Sequence, residues 1–332
     1  MSFTNNDTVQ KLEKILPKSI HNKSVPKDVL GIIDEYIPKL NDKNICQVVK
    51  DYLSKFEKYN KKKENEKYNK KKEKNKRKQQ IINNYGPISN WDVSQVTNME
   101  KLFQRYEHFN ENIFNWDVSN VENMEYMFHE ARCFNQPLNN WNVSQVTTMG
   151  GMFNNAHSFN QPLKNWNVSN VKDMCGMFWY AHDFNQSLDN WDVSNVRDMS
   201  YMFIFADKFN QPLNNWNVSN VNNMVSMFYY AKSFNQNINN WNVSNVTNMK
   251  RMFDTAKKFN QPLNNWNVSN VKEMTGMFAY AQSFNQPLNN CNVSNVKYIT
   301  EMFDSALSIN MHENALWYIG KKKMLYCILE IR

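Results

Sequence analysis

Residues 138–162 read LNNWNVSQVTTMGGMFNNAHSFNQP, and closely similar 25-residue units follow one another along most of the chain. Tryptophan marks the register, since eight of the ten Trp residues are spaced by 25: Trp91, Trp116, Trp141, Trp166, Trp191, Trp216, Trp241 and Trp266. Cys291 takes the ninth position. Two Met columns, Met99 to Met274 and Met127 to Met302, repeat with the same period. A fixed period without insertions predicts a solenoid in which each unit is one coil that stacks on its neighbours.

The order of residues within one unit predicts its local structure. Apolar residues alternate around Trp141 from Leu138 to Val143, as a short strand requires. Ser144 then stands where a helix N-cap belongs. The apolar residues that follow have helical spacing: Val146, Met149, Met152, Phe153 and Ala156. We therefore predict an α/β fold, a leucine-rich-repeat-like solenoid of about nine strand-helix coils over residues 85–314, with a small all-α domain before it.

The unit resembles the BspA-like leucine-rich repeats, in the variety first noted as a repeat of unknown function in mycoplasma surface proteins. The matching residues are the recurring Phe-Asn-Gln-Pro-Leu-x-x-Trp-x-Val-Ser-x-Val-x-x-Met-x-x-Met-Phe units, which cover about two-thirds of the chain. The resemblance implies a curved leucine-rich-repeat-type solenoid and a role in binding rather than catalysis. Because the resemblance is to surface proteins, a surface or adhesion protein is one functional hypothesis.

Other sequence features exclude several classes of protein. The first residues are polar, and no run approaches the ~18 apolar residues of a membrane span. The five Cys residues form no CxxC pair, and only seven Gly residues are present. We therefore expect an intracellular protein, cytoplasmic or nuclear, with no metal site and no phosphate-binding loop. No acid–base pair and no activated nucleophile is recognisable. The chain is accordingly predicted to be no enzyme, with no cofactor and no small-molecule substrate.

Recognition of a specific partner requires residues that vary from coil to coil. Two adjacent variable slots hold large apolar side chains in several units, and these form the predicted partner-binding surface: Trp179, Tyr180, Ile204, Phe205, Tyr229, Tyr230 and Tyr280. On the predicted helix both slots lie on the flanks of the buried face. Such groups either form an exposed patch for a protein partner or pack against neighbouring coils.

Two Asn columns repeat with the coils. Asn precedes Trp or Cys in all nine units, from Asn90 to Asn290. That column predicts either a regular polar binding surface or a ladder of amides that bond from coil to coil. The second column follows the recurrent Phe, from Asn110 to Asn310, and it predicts turn stabilisation.

The first 57 residues are predicted to be helical, because apolar residues recur on one helical face. The stretch 25–36 together with 45–50 resembles a degenerate F-box, since it opens with a hydrophobic-Pro-x-acidic-hydrophobic-Leu pattern. F-boxes dock on the Skp-type adaptor of cullin ubiquitin ligases. The resemblance implies these docking residues: Pro26, Val29, Leu30, Ile33, Val48 and Val49. The alternative is a helical domain that covers the end of the solenoid.

Positive charge is concentrated before the repeats. Residues 1–80 contain 21 Lys and Arg against 11 Asp and Glu, whereas residues 81–332 contain 18 against 20. Residues 58–84 are predicted to be a basic linker, and residues 315–332 a C-terminal cap or tail. The basic run at 58–78 could contact nucleic acid, but it lacks a base-reading element, so a solvated linker is favoured. Three functions stay open: a protein-interaction scaffold, an F-box-type substrate adaptor, and a surface or adhesion protein.

Overall fold

The computed structural model describes residues 39–54 and 66–321. The helices in those ranges are, in chain order, α1 (Ile45–Tyr52), α2 (Glu66–Tyr85), a 3-10 turn (Ile88–Asn90) and α3 (Met311–Asn314). Residues 316–321 are also helical. None of these described helices is long and apolar enough to cross a membrane. The chain divides into two compact units, Met1–Lys39 and Leu40–Arg332, and all of the repeats lie in the second unit.

The repeats stack with a register of 25 residues. We number the coils 1 to 9, from the one that contains Trp91 to the one that contains Cys291. One residue of each coil forms a parallel β-bridge with its equivalent in the next coil, in an unbroken series from Asn98 to Tyr298. These bridges are isolated, so none of the nine described coils contains a β-strand of several residues. The strand predicted around Trp141 is replaced by turns and unpaired backbone.

The segment predicted to be helical is instead a series of tight turns. In coil 3 the N–H of Met152 donates to the carbonyl of Met149, and the N–H of Ala156 donates to that of Phe153. Between these turns the backbone bonds to the next coil, since the N–H of Phe153 donates to the carbonyl of Met177 at 2.9 Å. Helical i to i−4 bonds are therefore absent from 146–156, and the predicted strand-helix coil is corrected to a coil of turns.

Left-handed backbone explains why no helix forms in this segment. Two slots of the coil have positive φ, as at Gly151 (57°) and Asn155 (58°) in coil 3. A right-handed helix requires negative φ at every residue. Ser144 is likewise no N-cap, because its N–H donates to the side-chain oxygen of Asn142 and closes a local turn.

Apolar columns fill the interior of the solenoid, as their period predicts. The Val, Met, Phe, Ala and Leu slots are buried in coils 2 to 8, and in coils 1 and 9 only Tyr106 and Ile309 of these slots are partly exposed. Equivalent Phe rings stack along the solenoid, with 5.7 Å between the centroids of Phe153 and Phe178 and again between Phe178 and Phe203. Burying a side chain of this size contributes about 1.5–3 kcal/mol relative to leaving it exposed.

The Trp column also ties successive coils together through hydrogen bonds. The indole N–H of Trp166 donates to the carbonyl of Leu138 in the preceding coil at 2.9 Å. Trp191 repeats this bond to Leu163, and the Trp residues of coils 2, 3, 6, 7 and 8 each donate in the same way to the carbonyl 28 residues earlier. Trp91 of coil 1 donates instead to the carbonyl of Gly86, five residues earlier, at 3.3 Å. The column therefore combines a large buried ring with a satisfied polar group.

Asn side chains join the coils on the surface. The side-chain oxygen of Asn185 accepts from the N–H of Asn210 at 2.9 Å and from the Nε2 of Gln211 at 3.1 Å, and this arrangement recurs along the second Asn column. The second Asn column therefore joins neighbouring coils, whereas the sequence predicted only turn stabilisation for it. A further ladder involves the Asn after Val-Ser, as where Asn195 donates to the carbonyl of Ser169.

Residues 40–54 cover the first coil. Asn41 forms a parallel bridge with Gln95, and the Asp42 carboxylate accepts from both the N–H and the hydroxyl of Thr97, at 2.8 and 2.7 Å. Tyr52 of α1 lies edge-on to Trp91 at 5.0 Å. Residues 40–54 therefore belong to the same compact unit as the repeats, which begins at Leu40.

The predicted adaptor-docking residues divide into two groups. Val48 and Val49 lie on α1 and are buried in the core beneath it, so they do not form a docking surface. The remaining four, Pro26, Val29, Leu30 and Ile33, lie outside the described residues. Of the predicted basic linker, the described part belongs to α2, whose Lys78 donates to the carbonyl of Ser54 after α1.

The C-terminal segment covers coil 9, and its Trp317 makes the bond that the Trp of a following coil would make. Cys291 cannot donate as an indole does, and burial raises the pKa of its thiol to about 11. Trp317 donates its indole N–H to the carbonyl of Leu288 at 2.8 Å, as the Trp of a tenth coil would. Tyr318 lies edge-on to Phe303 at 5.1 Å. A small apolar cavity of about 20 Å³ lies beside Cys291, Trp266 and Trp317.

The cap at Asp42 gives a pH-dependent prediction. Burial raises the pKa of this carboxyl, but the hydrogen bonds from Thr97 and Asn98 outweigh it, and the net pKa is lowered. The stabilisation is therefore present above the unfolded-state pKa of about 4 and is lost as pH falls through the folded-state value. We expect Asp42→Asn to lower the free energy of unfolding at pH 7, and the difference from wild type to shrink toward pH 3.

Urea unfolding of the two proteins across this pH range measures the effect. Asp92→Asn is the control, because Asn142 occupies the equivalent slot of coil 3 and makes the same bond to Ser144. A difference for Asp42→Asn that does not change with pH would contradict the role of its charge.

A second prediction concerns the neighbouring glycines of coil 3. Gly151 has φ of 57°, and a Cβ atom there would lie 2.3 Å from Cε1 of Tyr126. We expect Gly151→Ala to lower the free energy of unfolding by about 1–2 kcal/mol. Gly150 has no positive φ and its nearest contact would be 3.6 Å away, so Gly150→Ala is the matched control and is expected to be neutral. Both variants are measured by thermal and urea unfolding. If Gly150→Ala lowers the free energy of unfolding as much as Gly151→Ala does, this assignment is contradicted.

Candidate interaction surface

The second left-handed slot of each coil accepts side chains of every chemical type. Its nine occupants have φ between 54° and 62°: Arg105, Glu130, Asn155, Tyr180, Phe205, Tyr230, Thr255, Tyr280 and Ser305. Asn is well suited to this backbone, whereas a bulky side chain is disfavoured there. The coil therefore folds without an aromatic residue in this slot, and aromatic residues at this position are not a requirement of the fold.

Three consecutive coils nevertheless place aromatic rings in this slot. We name Tyr180, Phe205 and Tyr230 the aromatic ladder. The ring centroids of Tyr180 and Phe205 are 4.4 Å apart with planes inclined by 5°, and those of Phe205 and Tyr230 are 4.5 Å apart. All three side chains are partly exposed. The ladder is a stacked, half-buried aromatic surface on the side of coils 4 to 6.

Neighbouring aromatic residues widen the ladder. Trp179 stacks on Tyr201 at 5.6 Å, and its ring centroid lies 6.3 Å from that of Tyr180. Tyr229 lies edge-on to Tyr230 at 4.8 Å. Tyr201 was not among the predicted residues, because it occupies the other left-handed slot of its coil.

Two of the predicted surface residues lie elsewhere. Ile204 is only 4% exposed, so its place on an exposed patch is corrected to a buried position. Tyr280 is 53% exposed but is separated from the ladder by coil 7, where Thr255 fills the slot. The structure thus brings together five of the seven predicted residues: Trp179, Tyr180, Phe205, Tyr229 and Tyr230.

Charged residues run beside the ladder, two and three positions after its slots. Asp207 pairs with His182 at 2.8 Å and with Lys232 at 2.9 Å. The Nζ of Lys232 also lies 5.7 Å from the ring centroid of Tyr230, a cation–π distance. Lys208 pairs with Asp183 of the preceding coil at 2.7 Å. Aligning the units reveals this column in the sequence, although the alignment does not show which partners pair.

The His, Cys, Asp and Glu side chains of the described residues do not gather into a metal site. No group of three or more His, Cys, Asp or Glu side chains in residues 39–54 and 66–321 could hold a metal ion. The ring centroids of His157 and His182 are 5.0 Å apart. Burial lowers the pKa of His157, and the charge of His182 lowers it further.

The stacked coils define a repeat protein, and comparison with known families agrees. The family described as "Mycoplasma protein of unknown function, DUF285" matches residues 70–182, 161–254 and 237–326. These matches together span more than half of the chain, and the chain belongs to this family. No curated protein matches it.

The aromatic ladder gives a prediction about stability. In Phe205→Asn the loss of ring stacking, about 0.5–1.5 kcal/mol for each pair, is opposed by relief of the left-handed backbone. We expect the free energy of unfolding to change by less than about 1 kcal/mol. The matched core variant is Phe203→Ala, since Phe203 lies two residues earlier and is fully buried. It is expected to lower the free energy of unfolding by about 3–5 kcal/mol. Urea unfolding measures both, and a comparable loss for Phe205→Asn would show that the ladder is a packing element.

Proposed function

We propose that this protein is a non-enzymatic scaffold for protein–protein interaction, built on a BspA-like solenoid, and that the aromatic ladder is its contact surface. The observation that carries the proposal is the placement of three stacked, half-exposed aromatic rings in left-handed slots. Other coils fill the same slot with Asn155, Thr255 or Ser305. Bulky residues held in a disfavoured backbone conformation without a folding requirement indicate selection for contact with another molecule.

Two alternatives draw less support from the described residues. An F-box-type adaptor would need an exposed docking helix, but Val48 and Val49 are buried against the solenoid. A surface or adhesion protein is compatible with the family, whose description names Mycoplasma and assigns no function. No contact or side-chain arrangement of coils 1 to 9 favours that role over an interaction scaffold.

The test is to remove the ladder without disturbing the coils. The variant Tyr180→Asn, Phe205→Asn and Tyr230→Asn uses the residue that coil 3 carries at Asn155. Proteins retained by the immobilised full chain from extracts of the source cells are identified by quantitative mass spectrometry. We expect the triple variant to lose partners that wild type retains, because the apolar anchor is gone.

Tyr280→Asn is the control, since it removes an exposed aromatic ring from the same slot outside the ladder. It is expected to retain the same partners as wild type. Thermal unfolding confirms that both variants are folded. If the triple variant is folded and retains the same proteins as wild type, the ladder is not the contact surface.

A further inference from the structure

We propose that the aromatic ladder and the lysines beside it form a docking site for an acidic segment of a protein partner that also carries apolar anchors. The lysines concerned are named the lysine row: Lys208, Lys232, Lys257 and Lys258. This inference rests on the proposed function, because it assigns a partner chemistry to the same surface.

The lysine row lies alongside the ladder. Its members follow the ladder slot by two or three residues in coils 5 to 7. Lys232 shows that such a side chain reaches the ladder, since its Nζ is 5.7 Å from the ring centroid of Tyr230. Lys208 shows that it also reaches the preceding coil, where it pairs with Asp183. Cationic and aromatic groups therefore share one continuous surface.

The four lysines of the row outnumber the carboxylates beside them. Asp183 and Asp207 each pair with a member of the row. Asp254 is mostly buried and pairs with Arg251 at 3.7 Å. Within the described chain, no carboxylate lies within 4 Å of Lys257 or Lys258, which are exposed.

Residues 81–332 as a whole are slightly acidic, with 18 Lys and Arg against 20 Asp and Glu, whereas Lys257 and Lys258 add two positive charges in coil 7, next to the coil of Tyr230. Charge complementarity across an interface steers association and selects the partner, whereas buried aromatic contacts provide most of the affinity. An acidic segment would neutralise Lys257 and Lys258 while its apolar side chains cover the rings of Tyr180, Phe205 and Tyr230. A basic segment would place like charges opposite the lysine row.

The experiment selects partners by chemistry rather than by identity. A random peptide library displayed on phage is panned on the immobilised full chain, and the enriched peptides are synthesised. We expect enrichment in Asp and Glu together with aromatic or aliphatic residues. Affinities are measured by fluorescence anisotropy at two salt concentrations, and added salt is expected to weaken binding.

Two variants and one control assign the binding to the site. Lys257→Gln with Lys258→Gln, and separately the triple Asn variant of the ladder, are each expected to weaken binding by about tenfold or more. Lys272→Gln with Lys297→Gln is the control, because it also removes two exposed lysines of the repeats, but from another column, in coils 8 and 9. It is expected to leave affinity unchanged.

The outcomes separate the two proposals. Peptides that require the ladder but are not acidic, or that bind the Lys257→Gln and Lys258→Gln variant as well as wild type, overturn this inference and leave the proposed function standing. If no enriched peptide depends on the ladder, the proposed function fails as well. A single-stranded oligonucleotide that competes for the ladder more strongly than the best peptide would instead identify a nucleic-acid surface.

Discussion

The structure depends on backbone hydrogen bonding from each coil to the next at an offset of 24 residues. The N–H of Phe153 donates to Met177, and the N–H of Phe178 donates to Met202, so one coil presents the groups that the next requires. This pairing needs a backbone that turns repeatedly, and the left-handed slots provide the turns. A single inserted residue would shift every later column, and this accounts for the absence of insertions in the repeats.

A strict register separates the residues that build the coil from those that are free to vary. Trp, Met, Phe and Asn columns recur because each coil makes the same buried or bridging contact. The ladder slot makes no such side-chain contact in common, and its occupants range from Arg105 to Ser305. Functional information is therefore concentrated in the variable slots. Tyr180, Phe205 and Tyr230 are informative because they depart from what the coil requires.

The period, the buried columns and the cluster of five aromatic residues could be read from the sequence, whereas the path of the backbone could not. Met149, Met152, Phe153 and Ala156 have spacings of three and four, which suit both an amphipathic helix and successive tight turns. Positive φ would normally be signalled by Gly or Asn, but here it occurs at Tyr126 and Phe205, whose side chains give no such signal. Ile204 is buried because the turn directs it inward, while a helical wheel placed it on the flank.

Both ends of the solenoid are covered by residues from outside the repeats. Coil 1 depends on Asp42 and Tyr52 to satisfy its exposed face, and coil 9 depends on Trp317 and Tyr318. These covers reproduce the bonds of a neighbouring coil with residues from outside the repeat, and coil 9 has also lost its Trp. Coils 2 to 8 have a complete neighbour on both sides, and the ladder lies among them in coils 4 to 6. A backbone held from both sides is rigid enough to present an aromatic surface without the entropy cost of ordering a loop on binding.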